Sequence, residues 1–180
     1  MSKMLSLCMA FVVCLAGGFV SIACAQDKSA RPSPPAKAEC KLAGGKGVTV
    51  DYSSPRAKGR KIYGGLVPYG KVWRAGANEA TTFVADTDLT VGGAAVPAGS
   101  YTIFAIPNAD KWTLVISKKT REWGTAYPGE KEDLVRVDMQ VSNLSSPVEN
   151  FTIAFDQSSS GCTMHMDWET TRASVSIAPK

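Results

Sequence analysis

From Val48 onward, apolar and polar residues alternate with a period of two along most of the chain, which is the spacing of strands rather than helices. Val48, Val50 and Tyr52 alternate with Thr49 and Asp51. Over residues 101–106 both sets of positions are apolar, as in a central strand covered on its two faces. Pro107, Asn108 and Asp110 then lead into Trp112, Leu114 and Ile116, which predicts a hairpin. Val135, Val137, Met139 and Val141 alternate with Arg136, Asp138 and Gln140, and predict a half-buried strand. Phe151, Ile153 and Phe155 predict another, followed by a Ser-rich turn ending in Gly161. Cys162, Met164, Met166 and Trp168 then form one face, with Thr163, His165, Asp167 and Glu169 on a solvated face behind it. Val175 and Ile177 predict a short last strand. Helical periodicity is nearly absent. Short strands separated by Gly, Pro and Asn turns predict an all-β domain, a single β-sandwich or distorted barrel of mainly antiparallel strands.

The N-terminus has a different pattern. Lys3 precedes an apolar run over residues 4–20, and Ala23-Cys24-Ala25 fits the A-x-A cleavage site of a secretory signal peptide. The expected organisation is a signal peptide over 1–25, a Pro-rich flexible tether over 26–39 and a single β domain over 40–180. The processed chain would keep no transmembrane helix and would act in the periplasm or be secreted. Acylation of Cys24 is the competing reading, but Ser21 stands where a lipobox expects a Leu-like residue.

Export changes the reading of the cysteines. Of the five in the chain, Cys8, Cys14 and Cys24 leave with the leader. Cys40 and Cys162 remain, and an oxidising compartment favours a disulfide between them. Charge adds little: the formal net charge is +4, and the leader carries only Lys3 of it. That modest balance is no nucleic-acid footprint. Basic residues cluster only at Arg56, Lys58, Arg60 and Lys61, which reads first as a solvated loop and second as a contact for an anion.

Residues 53–80 do not read as scaffold. Five glycines and two prolines break any long strand there. The same stretch holds Arg60, Tyr63, Tyr69, Trp73, Arg74, Asn78 and Glu79, too aromatic a set for disorder. These seven form the candidate ligand site: aromatic faces would stack on a sugar or planar ligand while Arg, Asn and Glu fix its hydroxyls or carboxylates. The competing structural reading is a buried salt bridge of Glu79 with Arg74 or Arg60 that pins the loop.

The run GRKIYGGLVPYGKVWRAGANEAT at 59–81 resembles the signature of the bacterial family called domain of unknown function 2911. VTVDYS at 48–53, VPAGSYT at 96–102 and WETTR at 168–172 extend the similarity over about residues 40–178. The resemblance implies an exported bacterial β-protein and carries no activity, cofactor or catalytic residue with it.

Other chemistries are weaker. His165, Asp167 and Glu169 share a strand face, but His165 is the only histidine, so no metal site is assigned and no cofactor is expected. No G-x-S-x-G elbow occurs. A carboxylate pair, Glu79 with Asp51 or Asp86, would suffice for glycan hydrolysis, yet nothing in the spacing selects one. The sequence therefore favours an extracytoplasmic binding or accessory module, with a glycan or cell-envelope ligand against residues 59–81. A carboxylate-dependent hydrolase and a structural protein without a small ligand are the alternatives. Oligomeric state is not legible.

Overall fold

The alternating segments become nine strands of one antiparallel sheet. The computed structural model describes residues 28–124 and 126–180; the signal-peptide and Cys24 readings lie outside these residues. The strands are β1 (Pro35–Lys41), β2 (Gly47–Ser53), β3 (Thr82–Ala85), β4 (Leu89–Val91), β5 (Ala94–Val96), β6 (Gly99–Ile106), β7 (Lys111–Ser117), β8 (Asp133–Ser158) and β9 (Gly161–Pro179). Their order in the sheet is β1-β2-β3-β6-β7-β8-β9-β4-β5. β1 and β5 are its two edges, so the sheet is not closed into a barrel.

Two strands are far longer than their periodicity suggests. β8 spans 26 residues and β9 spans 19, so the pairs of short strands expected on either side of residues 142–150 and near residue 170 are continuous. The β8–β9 ladder shifts register between Asn143 and Val148 and again before Thr152, and Glu169 across from it takes a left-handed φ of 50°. Such bulges bend a strand and increase its twist. Here they fold the far half of the hairpin back over the sheet. Tyr52 Oη accepts from the Ile153 N–H (3.1 Å), Ser54 Oγ donates to the Phe151 carbonyl (2.7 Å), and Gln157 Nε2 donates to the Lys41 carbonyl (2.8 Å). Gly161 lies so close to the Ile177 carbonyl that a Cβ there would overlap it, which excludes any other residue. A single bent sheet thereby makes both layers of a sandwich-like core.

The core lies between these layers. Val48, Val50, Phe83, Ile103, Leu114, Ile116, Met164, Met166 and Trp168 are buried there. β6 is covered on both faces, as its pattern requires: Phe104 lies on the outer side, where its ring meets that of Tyr127 at 5.3 Å. The Cys40–Cys162 disulfide joins edge strand β1 to the folded-back hairpin, with Cα atoms 6.4 Å apart. β1 begins at Pro35, inside the stretch that its prolines mark as tether over 26–39. Pro is tolerated there because it opens an edge strand.

Candidate functional site

The bend in the β8–β9 hairpin leaves backbone groups without ladder partners, and buried backbone polar groups must be satisfied. The irregular segment supplies them. The Phe151 N–H donates to the Pro55 carbonyl (2.8 Å) and the Ala57 N–H to the Glu149 carbonyl (2.8 Å). Glu149 and Glu169 carboxylates accept from the Lys58 and Ile62 N–H groups (2.8 and 3.2 Å). Farther on, Trp73 exchanges both backbone hydrogen bonds with Ala105 at 2.8 Å, occupying the edge of β6 that β3 does not reach. Residues 78–80 then meet 122–124: the Ala80 N–H donates to Glu122 (3.1 Å) and the Gly124 N–H to Asn78 (3.2 Å). The excursion is ordered because each part completes someone else's ladder.

This placement divides the seven predicted site residues. Tyr63 and Trp73 belong to the core. Trp73 stacks on Trp168 at 5.9 Å with 20° between planes and packs edge-on to Phe151 at 4.9 Å. Tyr63 stands edge-on to Trp112 at 4.7 Å. Burial, helped by the nearby Glu169 and Asp167 carboxylates, pushes the Tyr63 phenol well above the usual tyrosine range. Tyr63 is buried, and one face of the partly exposed Trp73 lies against Trp168. Tyr69 is exposed and lies over Gly64.

Asn78 and Glu79 face a partner that sequence reasoning assigned to the tether. Arg31 Nη1 donates to both Glu79 oxygens (2.9 and 3.0 Å), Lys28 Nζ lies 3.1 Å from Oε1, and Asn78 Nδ2 donates to the Ser33 carbonyl (3.0 Å). The expected pairing of Glu79 with Arg74 or Arg60 is therefore corrected: its cations are Arg31 and Lys28. Burial alone would raise the Glu79 carboxyl, but its own backbone N–H, Arg31 and Lys28 outweigh it and hold the group down at about 2. The folded value lies below the ordinary 4.5, so the pair stabilises the fold above pH 4.5 and that contribution fades as pH falls toward 2. Because the side chain is 35 % exposed, solvent screening keeps the effect below about 1 kcal/mol. Glu79→Gln is thus expected to lower the melting temperature slightly at pH 7, with the gap to wild type closing near pH 2, as read by thermal melts across that range.

The fold brings one of the two carboxylate pairs considered for hydrolysis to a common cleft and separates the other. Glu79 and Asp51 line one cleft of about 250 Å³ together with Lys28, Arg31 and Tyr52. Asp86 lies elsewhere, beside Gly47.

Arg60 belongs to a different surface. Its Nε donates to the Ala57 carbonyl (2.9 Å) and its Nη2 to the Arg56 carbonyl (2.6 Å). Arg56 is clamped in the same way, Nη1 donating to the Ser54 carbonyl (2.7 Å) and to its Oγ (2.9 Å). Among the described residues neither guanidinium meets a carboxylate. With Lys58 they line a groove of about 350 Å³ whose other walls are Pro32, Ser33 and Pro55. The basic cluster in the sequence is the signal for this groove; Arg31, Lys28 and the exposed Trp123 had none.

The expectation of a solvated face behind Met164 and Met166 is also corrected. His165 and Asp167 are each 6 % exposed. Arg172 makes a two-point contact with Asp167 (2.8 and 2.6 Å), and His165 lies between two carboxylates, Nδ1 3.2 Å from Asp167 and Nε2 3.6 Å from Asp156. Burial works to raise the Asp167 carboxyl, but His165 and Arg172 hold it below its usual range. Glu169 does not join them, since it turns to Ile62. Among the described residues, no group of three His, Cys, Asp or Glu side chains is arranged to hold a metal ion, and no helix is long and apolar enough to cross a membrane.

No curated protein and no solved structure matches the chain. A family profile does, from residue 33 to residue 177, taking in β1 through most of β9 and the whole segment that braces the bend. As the signature at 59–81 leads one to expect, the chain belongs to the family described as "Protein of unknown function (DUF2911)".

Proposed function

We propose that this protein is a non-catalytic binding module acting outside the cytoplasm, which takes an anionic group of a glycan or cell-envelope component in the groove of Arg56, Lys58 and Arg60. The observation that carries the reading is the pair of guanidiniums clamped on backbone carbonyls and left without a carboxylate. Clamping removes most of the rotamer entropy a ligand would otherwise have to overcome, so the site is preorganised. Guanidinium also matches the oxygen geometry of carboxylate and phosphate. The aromatic residues of the segment brace the fold while its basic rim binds, so the structural and binding readings apply to different side chains.

The hydrolase reading is less well supported. Of the two carboxyl groups a glycosidase uses, Glu79 is held ionised and could serve only as base or nucleophile, and its oxygens are already taken by Arg31 and Lys28.

Calorimetric titration of residues 26–180 with an oligouronate tests the proposal. Saturable binding is expected, weakening as salt rises and falling about tenfold or more in Arg56→Gln/Arg60→Gln, the scale of a lost charge-assisted hydrogen bond. Unchanged affinity in the folded double variant, or cleavage of the oligouronate, would overturn it.

A further inference from the structure

The cleft of about 250 Å³ beside Glu79 is built on the outer face of the sheet. Asp51 alternates with the core residues Val50 and Tyr52, so it points outward, and Thr82 is its neighbour across the β2–β3 ladder. Lys28, Arg31 and Glu79 complete the lining. The charged groups balance, two cations against two carboxylates. Some of their hydrogen-bonding atoms are unused. Arg31 meets Glu79 through Nη1 only; among the described residues its Nε and Nη2 have no partner, and neither atom is enclosed. Asp51 is exposed and makes no hydrogen bond or ion pair among the described residues.

Trp123 stands at the edge of this cleft. The Ala80 N–H donates to the Glu122 carbonyl and the Gly124 N–H to the Asn78 carbonyl, so Glu79 and Trp123 face each other as a pair that shares no hydrogen bond. Side chains of such a pair lie close together on one face. The indole therefore emerges beside the Glu79 carboxylate, 63 % exposed and, among the described residues, against no other aromatic ring. Arg74 takes no part: it is half-buried with its Nε enclosed, and it lines neither this cleft nor the Arg56–Arg60 groove.

We infer that the cleft and Trp123 form a second subsite, which takes a neutral, hydroxyl-rich sugar ring. The C–H face of a pyranose is apolar and covers an indole, while its hydroxyls both donate and accept. Asp51 accepts from one hydroxyl, and the free Nε–H and Nη2–H groups of Arg31 donate to others. Balanced charge suits a neutral ring, whereas the three cations of the groove suit an anion. The volume suits a single ring, since drug-sized ligands fill about 300–1,000 Å³. One short segment separates the two sites, with Arg31 and Pro35 lining the cleft and Pro32 and Ser33 the groove. The inference rests on the glycan reading of the proposed function and names the part of the glycan taken here.

Calorimetric titration of the protein with chitotetraose, a neutral tetramer of N-acetylglucosamine, tests it beside the oligouronate. Saturable binding is expected that does not weaken with salt and that persists in Arg56→Gln/Arg60→Gln. Affinity should fall about tenfold in Trp123→Ala and in Asp51→Ala, both of which should melt like wild type because the two side chains are exposed. No saturable binding, unchanged affinity in either variant, or cleavage of the tetramer overturns the inference; oligouronate binding that survives any of these leaves the groove proposal standing. Chitotetraose bound with no oligouronate binding would count against the groove alone.

Discussion

Trp73→Ala is expected to remove about 3 kcal/mol of unfolding free energy, the lower end of the range for a large aromatic cut back to Ala. The indole is partly exposed, which sets the estimate at that end, but it touches four other rings: Trp168, Phe151, Tyr63 and Trp112. Those rings come from β7, β8, β9 and the irregular segment itself, so truncation leaves a void where the bent sheet closes on the loop. In a domain of this size the loss amounts to roughly 6–12 °C in melting temperature. Urea unfolding of Trp73→Ala and Trp73→Phe measures it. Phe should retain most of the stability, because ring packing rather than the indole N–H holds the site. A Trp73→Ala variant as stable as wild type would show that the ring is not part of the core.

Breaking the Cys40–Cys162 disulfide is expected to have the largest effect on stability. The bond spans 122 residues of sequence, and closing so long a loop in the unfolded chain corresponds to about 4–5 kcal/mol in the chain-entropy description. It also staples an edge strand to the far end of the folded-back hairpin, where the ladder register has already shifted twice. Paired Cys40→Ala/Cys162→Ala substitution, compared with wild type with and without reductant, gives the size of the effect. Reductant should lower the melting temperature of wild type toward that of the variant and leave the variant unchanged. A reductant-insensitive wild type would contradict the pairing.

The strands were legible in the sequence because period two survives wherever one face is buried. Val48, Val50 and Tyr52, and the doubly apolar run at 101–106, became β2 and β6 as read. The bent hairpin was not legible. Residues 142–150 are mostly polar and include Pro147 and so give no strand signal, yet the strand pairs again at Val148 and from Thr152 onward with shifted register. Periodicity also assigns a residue to a face without saying what covers that face. His165 and Asp167 therefore read as solvated, although Arg172 and Asp156 pair with them and they are buried. Around the candidate site, glycines, prolines and aromatics marked the irregular segment in the sequence. An irregular segment has no period, however, so nothing in it separated Trp73, packed on the core, from exposed Tyr69. The Arg31–Glu79 pair joins residues 48 apart, and no local pattern encodes such a contact.

In the proposed function, the aromatics of one segment brace the fold and its clamped arginines bind the ligand. The affinity of an oligouronate for two single variants, Trp73→Phe and Arg60→Gln, tests it most directly. Near wild-type affinity in Trp73→Phe, with a clear loss in an Arg60→Gln variant that melts like wild type, is the predicted result. Loss of binding in Trp73→Phe with Arg60→Gln unaffected would contradict it and return the ligand to the aromatic cluster.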